Sequence, residues 1–188
     1  MRVAFIGKMR SGKDTAAEFL LERSRAAIIK FADPLYDMQE AIYTIADLPY
    51  DENTKDRRLL QLLGTEWGRE KDPDLWLNIF EKTVNSCKNL NIICTDCRFP
   101  NELALVKRLG FTTVKIITKD EIRMARGATN TNHESERHID EMQADIDIYN
   151  IGTLEDFKQK ILNNVAKIRN FLTSLVIHDS LVVTEREK

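Results

Sequence analysis

The stretch Gly7-Lys8-Met9-Arg10-Ser11-Gly12-Lys13-Asp14-Thr15 has the residue types and spacing of a turn that grips phosphate. It follows the apolar run Val3-Ala4-Phe5-Ile6 and precedes an amphipathic segment, so the order reads strand, glycine-rich loop, helix start. Glycines let the backbone curl until several N–H groups face one anion, and the new helix adds the positive end of its dipole. Lys13 then supplies a mobile cation for the outer phosphates of a nucleoside triphosphate, with Gly7, Lys8, Arg10, Ser11 and Gly12 around them. The position after the lysine usually carries the hydroxyl that meets Mg²⁺. Here it is Asp14, with Thr15 next. Three roles stay open: Thr15 serves the metal, the Asp14 carboxylate does so directly or through water, or Asp14 is a first-turn acid favoured by the helix dipole.

A second chemistry is written in arginines. Transfer of a phosphoryl group onto another phosphate needs no strong base, because the attacking oxygen is already an anion. It needs cations that gather two repelling anions, and the planar guanidinium fork suits that task. Arg123, Arg126 and Arg137 stand in a charged stretch late in the chain; Arg123 and Arg126 share a face if that stretch is helical. Asp96 ends the clearest interior strand, Asn91–Thr95, where an acid can hold Mg²⁺ through a water or cap a turn. Arg98, two residues on, is placed to face an acceptor phosphate or solvent.

Alternating strands and helices must position these groups, which predicts an α/β, three-layer P-loop fold with a parallel sheet flanked by helices. Strands are expected at Arg2–Ile6, Ala26–Phe31, Asn91–Thr95, Thr112–Thr118 and Asp145–Tyr149. Asp33-Pro34 and Asp72-Pro73 read as N-caps followed by a first-turn proline. Leu35, Met38, Ile42 and Ile45 form the expected buried stripe of the helix after Pro34, and Arg57–Arg69 reads as one helix. A helix stops at Gly110. The last helix starts at Thr153 and carries Leu154, Phe157, Ile161, Val165, Ile168 and Leu172 at helical spacing. Two polar insertions, roughly 47–75 and 120–140, suit an acceptor-binding flap and a lid that exclude water. Residues 1–172 are expected to be one domain and 173–188 a tail of unassigned role.

The chain has 188 residues, 43% hydrophobic and 31% charged, with 28 basic against 30 acidic residues and a net charge of −2. That balance gives no reason to expect a nucleic-acid polymer or a membrane as partner. No run is long and apolar enough to cross a bilayer, and the first residues read as a strand, so a cytoplasmic protein is expected. Cys87, Cys94 and Cys97 are too few and too irregular for a disulfide framework or a zinc site.

Taken together and in order, several pieces resemble the bacteriophage-type deoxynucleoside monophosphate kinases of the P-loop nucleoside monophosphate kinase superfamily. They are the Gly7–Thr15 loop, Phe31-Ala32-Asp33-Pro34-Leu35, Leu60-Gln61-Leu62-Leu63-Gly64-Thr65-Glu66 with Arg69 and Trp76, Thr95-Asp96-Cys97-Arg98-Phe99-Pro100-Asn101-Glu102, His133-Glu134-Ser135-Glu136, and Asn150-Ile151-Gly152-Thr153-Leu154. The resemblance runs from Met1 to about Phe171. It implies conversion of a deoxynucleoside monophosphate to its diphosphate, with ATP as donor, Mg²⁺ as cofactor and a homodimer as the working form. It places Asp33, Arg69 and Arg98 at the acceptor and Arg123, Arg126 and Arg137 in the lid, and it makes Lys13-Asp14-Thr15 a family variant. Glu134 and Glu136 then orient the arginines or the sugar, while Trp67 and Trp76 either stack on a base or pack in the core. Two other readings share the loop: a kinase of another small phosphate acceptor, such as phosphomevalonate or dephospho-coenzyme A, and a nucleotide-binding regulator without transfer activity.

Overall fold

A computed structural model describes residues 1–51, 55–87, 89–129 and 134–164. The elements are β1 (Arg2–Ile6), α1 (Lys13–Leu21), β2 (Ala26–Ile28), α2 (Asp33–Ile45), α3 (Arg57–Gln61) running into a π-helix (Leu62–Arg69), α4 (Leu75–Ser86), β3 (Asn91–Cys97), α5 (Pro100–Arg108), β4 (Thr112–Ile117), α6 (Asp120–Ala125), α7 (Glu134–Arg137) and β5 (Ile146–Tyr149). A last helix, α8, covers 154–164. The expected continuation through Val165, Ile168 and Leu172, the tail 173–188 and His133 lie outside the described residues, as does the side chain of Glu134.

The strands form one five-stranded sheet in the order β2-β3-β1-β4-β5, and every pairing is parallel. Parallel strands need long crossovers, which puts helices on both faces. Alternation along β1 divides the core. Val3 and Phe5 pack with Ala16, Phe19 and Leu20 of α1 and Phe157 and Ile161 of α8. Ala4 and Ile6 pack on the other face with Leu77, Phe80 and Val84 of α4 and Leu105 and Val106 of α5. Burial of each such large side chain contributes about 1.5–3 kcal/mol.

β1 sits where the connections change direction, between β3 and β4, so its carboxyl end opens onto the crevice where ligands bind in such sheets. Ala4 pairs with Cys94 but Ile6 with Cys97, so β3 carries one extra residue at this end. Such a bulge re-aims the local side chains, and it falls beside Asp96.

Three local expectations are corrected. Asp33 is inside α2, with Ala32 as N-cap, and its carboxylate accepts from the Lys30 N–H at 2.8 Å. α4 starts after Asp74, because Asp72 spends its side chain on the Asp74 N–H at 2.9 Å. The stripe on α2 is not buried: Ile45 is 85% exposed, and the fully buried residue of that helix is Gln39, which accepts from the Asp56 N–H. Periodicity identified the helix but not which of its faces meets protein.

Candidate functional site

Backbone geometry makes the β1–α1 turn a cradle. Gly7 has φ 156° and Gly12 φ 110°. A Cβ on Gly7 would lie 2.6 Å from Ser11 Oγ, and one on Gly12 would lie 2.6 Å from Asn150 Nδ2, so both positions require glycine. Thr118 Oγ1 and Asn150 Nδ2 both donate to the Ser11 carbonyl, at 3.0 and 2.8 Å, and tie the turn to the ends of β4 and β5. The N–H groups of the first turn of α1 have no acceptor within the helix and are left for an anion. Ser11 Oγ is buried without a hydrogen-bond partner among the described residues. The donor set fits a polyphosphate.

Lys13, 6% exposed, folds back so that Nζ donates to the Gly7 carbonyl at 2.6 Å and the Lys8 carbonyl at 2.9 Å. Burial pulls its pKa down to about 8, and the nearby Arg98 charge adds to the fall. An arriving anion opposes both effects by favouring the charged form.

Behind the turn lies a buried ion cluster. Arg123 is 3% exposed; Nε donates to the Met9 carbonyl at 2.9 Å, Nη1 to Asp120 at 2.6 Å and Nη2 to Glu136 at 3.2 Å. Glu136 accepts from the Met9 N–H with both oxygens at 3.0 Å and lies 3.5 Å from Arg98. Arg123 and Glu136 therefore clamp the turn and each other. Arg126 is exposed, and Nη1 lies 3.5 Å from the Arg10 carbonyl. Arg137 is exposed on the short α7. Of the three arginines of this stretch, Arg123 is sealed behind the turn, Arg126 is exposed beside the Arg10 carbonyl, and Arg137 is exposed on α7.

A cavity of about 450 Å³ opens beside the turn. Met9, Arg10, Lys13 and Asp14 line it, and so do Arg69, Arg98 and Trp76. Arg69 donates through Nη2 to Glu102, and its guanidinium lies 3.8 Å over the Phe99 ring. Glu102 also accepts from the Arg98 N–H at 2.7 Å and the Phe99 N–H at 3.1 Å. Burial pushes the Glu102 carboxyl up to about 7, with the Asp96 charge raising it further and the amide bonds and Arg69 opposing. Sequence reasoning gave Glu102 no role. The signal was an acid in the first turn of a helix that begins at Pro100.

Asp96 lines the same cavity, and its carboxylate accepts from the Phe31 and Ala32 N–H groups at 3.1 and 2.9 Å. It holds the β2–α2 loop in place. Asp33, turned back on Lys30, does not line the cavity, although its neighbours Ala32 and Leu35 do. Asp14 lines it; Thr15 is half-buried one step along α1. No group of three or more His, Cys, Asp or Glu side chains is placed to hold a metal ion among the described residues. Trp76 is 2% exposed and donates from Nε1 to the Gly64 carbonyl at 2.8 Å, so its body belongs to the core, while Trp67 is 43% exposed.

Comparison with known proteins decides the family. The sequence profile of the deoxynucleotide monophosphate kinases matches residues 38–161. The chain belongs to this family. It resembles the deoxynucleoside-5′-monophosphate kinase of Escherichia phage T5 (30% identity, 72% of this chain and 63% of that one). It also resembles a protein of Acanthamoeba polyphaga mimivirus provisionally named a deoxynucleotide monophosphate kinase (28% identity, 87% of this chain and 95% of that one). Among solved structures, a gluconokinase from Sinorhizobium meliloti 1021 superposes with a TM-score of 0.57 at 15% identity, over 93% of this chain and 96% of that one. That likeness supports the P-loop kinase fold alone. As a family member the chain is an ATP-dependent phosphotransferase whose acceptor is a deoxynucleoside monophosphate.

Proposed function

We propose that the β1–α1 turn holds the triphosphate of ATP, that Arg69 and Arg98 hold the acceptor phosphate, and that transfer occurs in the space between them. The observation that carries this is a single cavity lined by Lys13 and Asp14 together with Arg69 and Arg98. An oxygen of the acceptor phosphate attacks the γ-phosphorus; the bond to the β–γ bridging oxygen breaks, leaving ADP and a deoxynucleoside diphosphate. Lys13 leaves the Gly7 and Lys8 carbonyls and neutralises charge that builds on the transferring group. Glu102 is the positioning residue of the acceptor side, since it fixes both the Arg69 side chain and the Arg98 backbone. Mg²⁺, when bound, neutralises β- and γ-phosphate charge; Asp14, which faces the cavity, and Thr15 are the first-turn groups that would hold it.

The insertion 47–75 and the lid 120–140 belong to one catalytic domain spanning 1–172. Arg57 donates to Thr129 Oγ1 at 2.7 Å, a link between the two segments that supports a cover over the reacting phosphates. A homodimer is the working form; the apolar Ile42, Ile45 and Leu48, all exposed, support a surface for a second copy. No helix among the described residues is long and apolar enough to cross a membrane, and the named relatives are viral, which supports action in the cytoplasm of a host cell. A coupled assay of ADP release with ATP, Mg²⁺ and a panel of deoxy- and ribonucleoside monophosphates tests the reading. Turnover with deoxynucleoside monophosphates is expected; turnover only with a non-nucleotide phosphate ester overturns it.

A further inference from the structure

Arg57, Leu60, Gln61, Gly64 and Thr65 all line the cavity, and their spacing puts them on one helical face. This wall is chemically unlike the rest of the cavity. Its one charged side chain, Arg57, reaches to Thr129. Gln61 is half-buried, and neither its carboxamide nor the Thr65 hydroxyl has a hydrogen-bond partner among the described residues. A neutral wall with spare donors and acceptors suits a neutral, hydrogen-bonding ring; the guanidiniums of Arg69 and Arg98 suit its phosphate.

The backbone of the wall is shaped for close approach. At Gly64 the chain is π-helical, a wound form that recurs at functional sites. Trp76 pins the Gly64 carbonyl. A Cβ at Gly64 would come 2.9 Å from Leu35 Cδ1, another residue of the cavity lining, so a larger residue there forces Leu35 to shift.

Resting on the reading that the acceptor is a deoxynucleoside monophosphate, we propose that Gln61 reads the Watson–Crick edge of the acceptor base, beside Thr65, and thereby lets one site take more than one base. Each of the four bases presents an adjacent donor and acceptor on that edge: the amine and ring nitrogen of adenine and cytosine, the carbonyl and ring N–H of guanine and thymine. A carboxamide carries one donor group and one acceptor, and it reverses them by turning about its last bond. Gln61 can therefore match every base, while the space left by Gly64 limits ring size.

Two comparisons test this. Gln61→Glu replaces the amide with two acceptors, and guanine alone offers two adjacent donors, its ring N–H and its amine. The ratio of kcat/KM for dGMP over dTMP should rise at least about tenfold. In the unaltered protein, N3-methyl-dTMP, whose edge is blocked, should fall at least about tenfold below dTMP. The analogue comparison uses the native chain, so it decides the matter even where the variant fails to fold. An unmoved base ratio in a folded Gln61→Glu protein, or equal use of dTMP and its methylated form, overturns the inference while dNMP turnover continues. Absence of any dNMP turnover in the native protein overturns the underlying reading as well.

Discussion

The two sides of the cavity are built by different means. On the side proposed for the donor, consecutive residues from Gly7 to Thr15 make the cradle, and its special features are local: three positive-φ residues (Gly7, Arg10 and Gly12), one lysine and one helix start. On the acceptor side, Arg69 comes from a π-helix, Arg98 follows β3, and Glu102, which joins them, belongs to α5. The donor side is closed by its own hydrogen bonds, with Lys13 on two carbonyls of the turn and Arg123 and Glu136 behind it. The acceptor side keeps neutral polar groups open toward the cavity. A triphosphate is a constant ligand that a fixed nest of N–H groups suits, whereas acceptor bases vary in size and edge.

Five experiments bear on that contrast. The largest effect is expected from Arg123→Ala, which leaves Glu136 buried beside the turn without its main cation. Unfolding stability should fall by about 4 kcal/mol, measured by denaturant titration. An unchanged midpoint would show that the cluster is not what holds the turn. Lys13→Ala should leave the melt near the native one and lower kcat by about 3 kcal/mol of barrier, roughly two orders of magnitude. Its pH counterpart follows from the lowered pKa. Lys13 is charged below about 8 and neutral above, so kcat/KM for ATP should fall as pH rises through about 8, while kcat holds to higher pH because bound phosphate favours the cation. A profile flat to pH 10 would remove Lys13 from the charge balance.

Arg98→Ala should cost about 2 kcal/mol in kcat/KM for the acceptor, with a smaller change in the KM for ATP, because Arg98 also lies 3.5 Å from Glu136 behind the turn. Equal losses for both substrates would merge the two sides that the geometry separates. The smallest effect is expected from Trp76→Phe, which keeps an aromatic ring but removes the indole N–H, with its bond to the Gly64 carbonyl, and part of the packing against Gly68. Stability should fall by about 1 kcal/mol, and the base preference should shift if the π-helical wall relaxes. A base profile identical to the native one would show that Trp76 supports the core alone.

Much of the fold was legible in the residues. The five strands and the loop after β1 fall in the expected segments, although β2 stops at Ile28 instead of Phe31 and β3 runs on to Cys97, because the signals for where they lie are local. Other features are set by what lies across the interface. Arg69 and Arg123 are both arginines in polar segments, yet one faces the cavity and the other is sealed behind the turn by Asp120, Glu136 and the Met9 carbonyl. Spacing alone cannot tell them apart. The same is true of Glu102, whose elevated pKa comes from burial and the neighbouring Asp96 charge, neither of which is visible in a capping pattern.

By itself the sequence determined where the phosphate-cradle turn lies, because a glycine-rich turn between a strand and a helix needs only its neighbours in the chain to take shape. Only the tertiary structure decided which arginines line the cavity, which acid holds them and which wall stays open. Those choices depend on burial and on partners dozens of residues away, such as Arg69 with Glu102 and Met9 with Glu136.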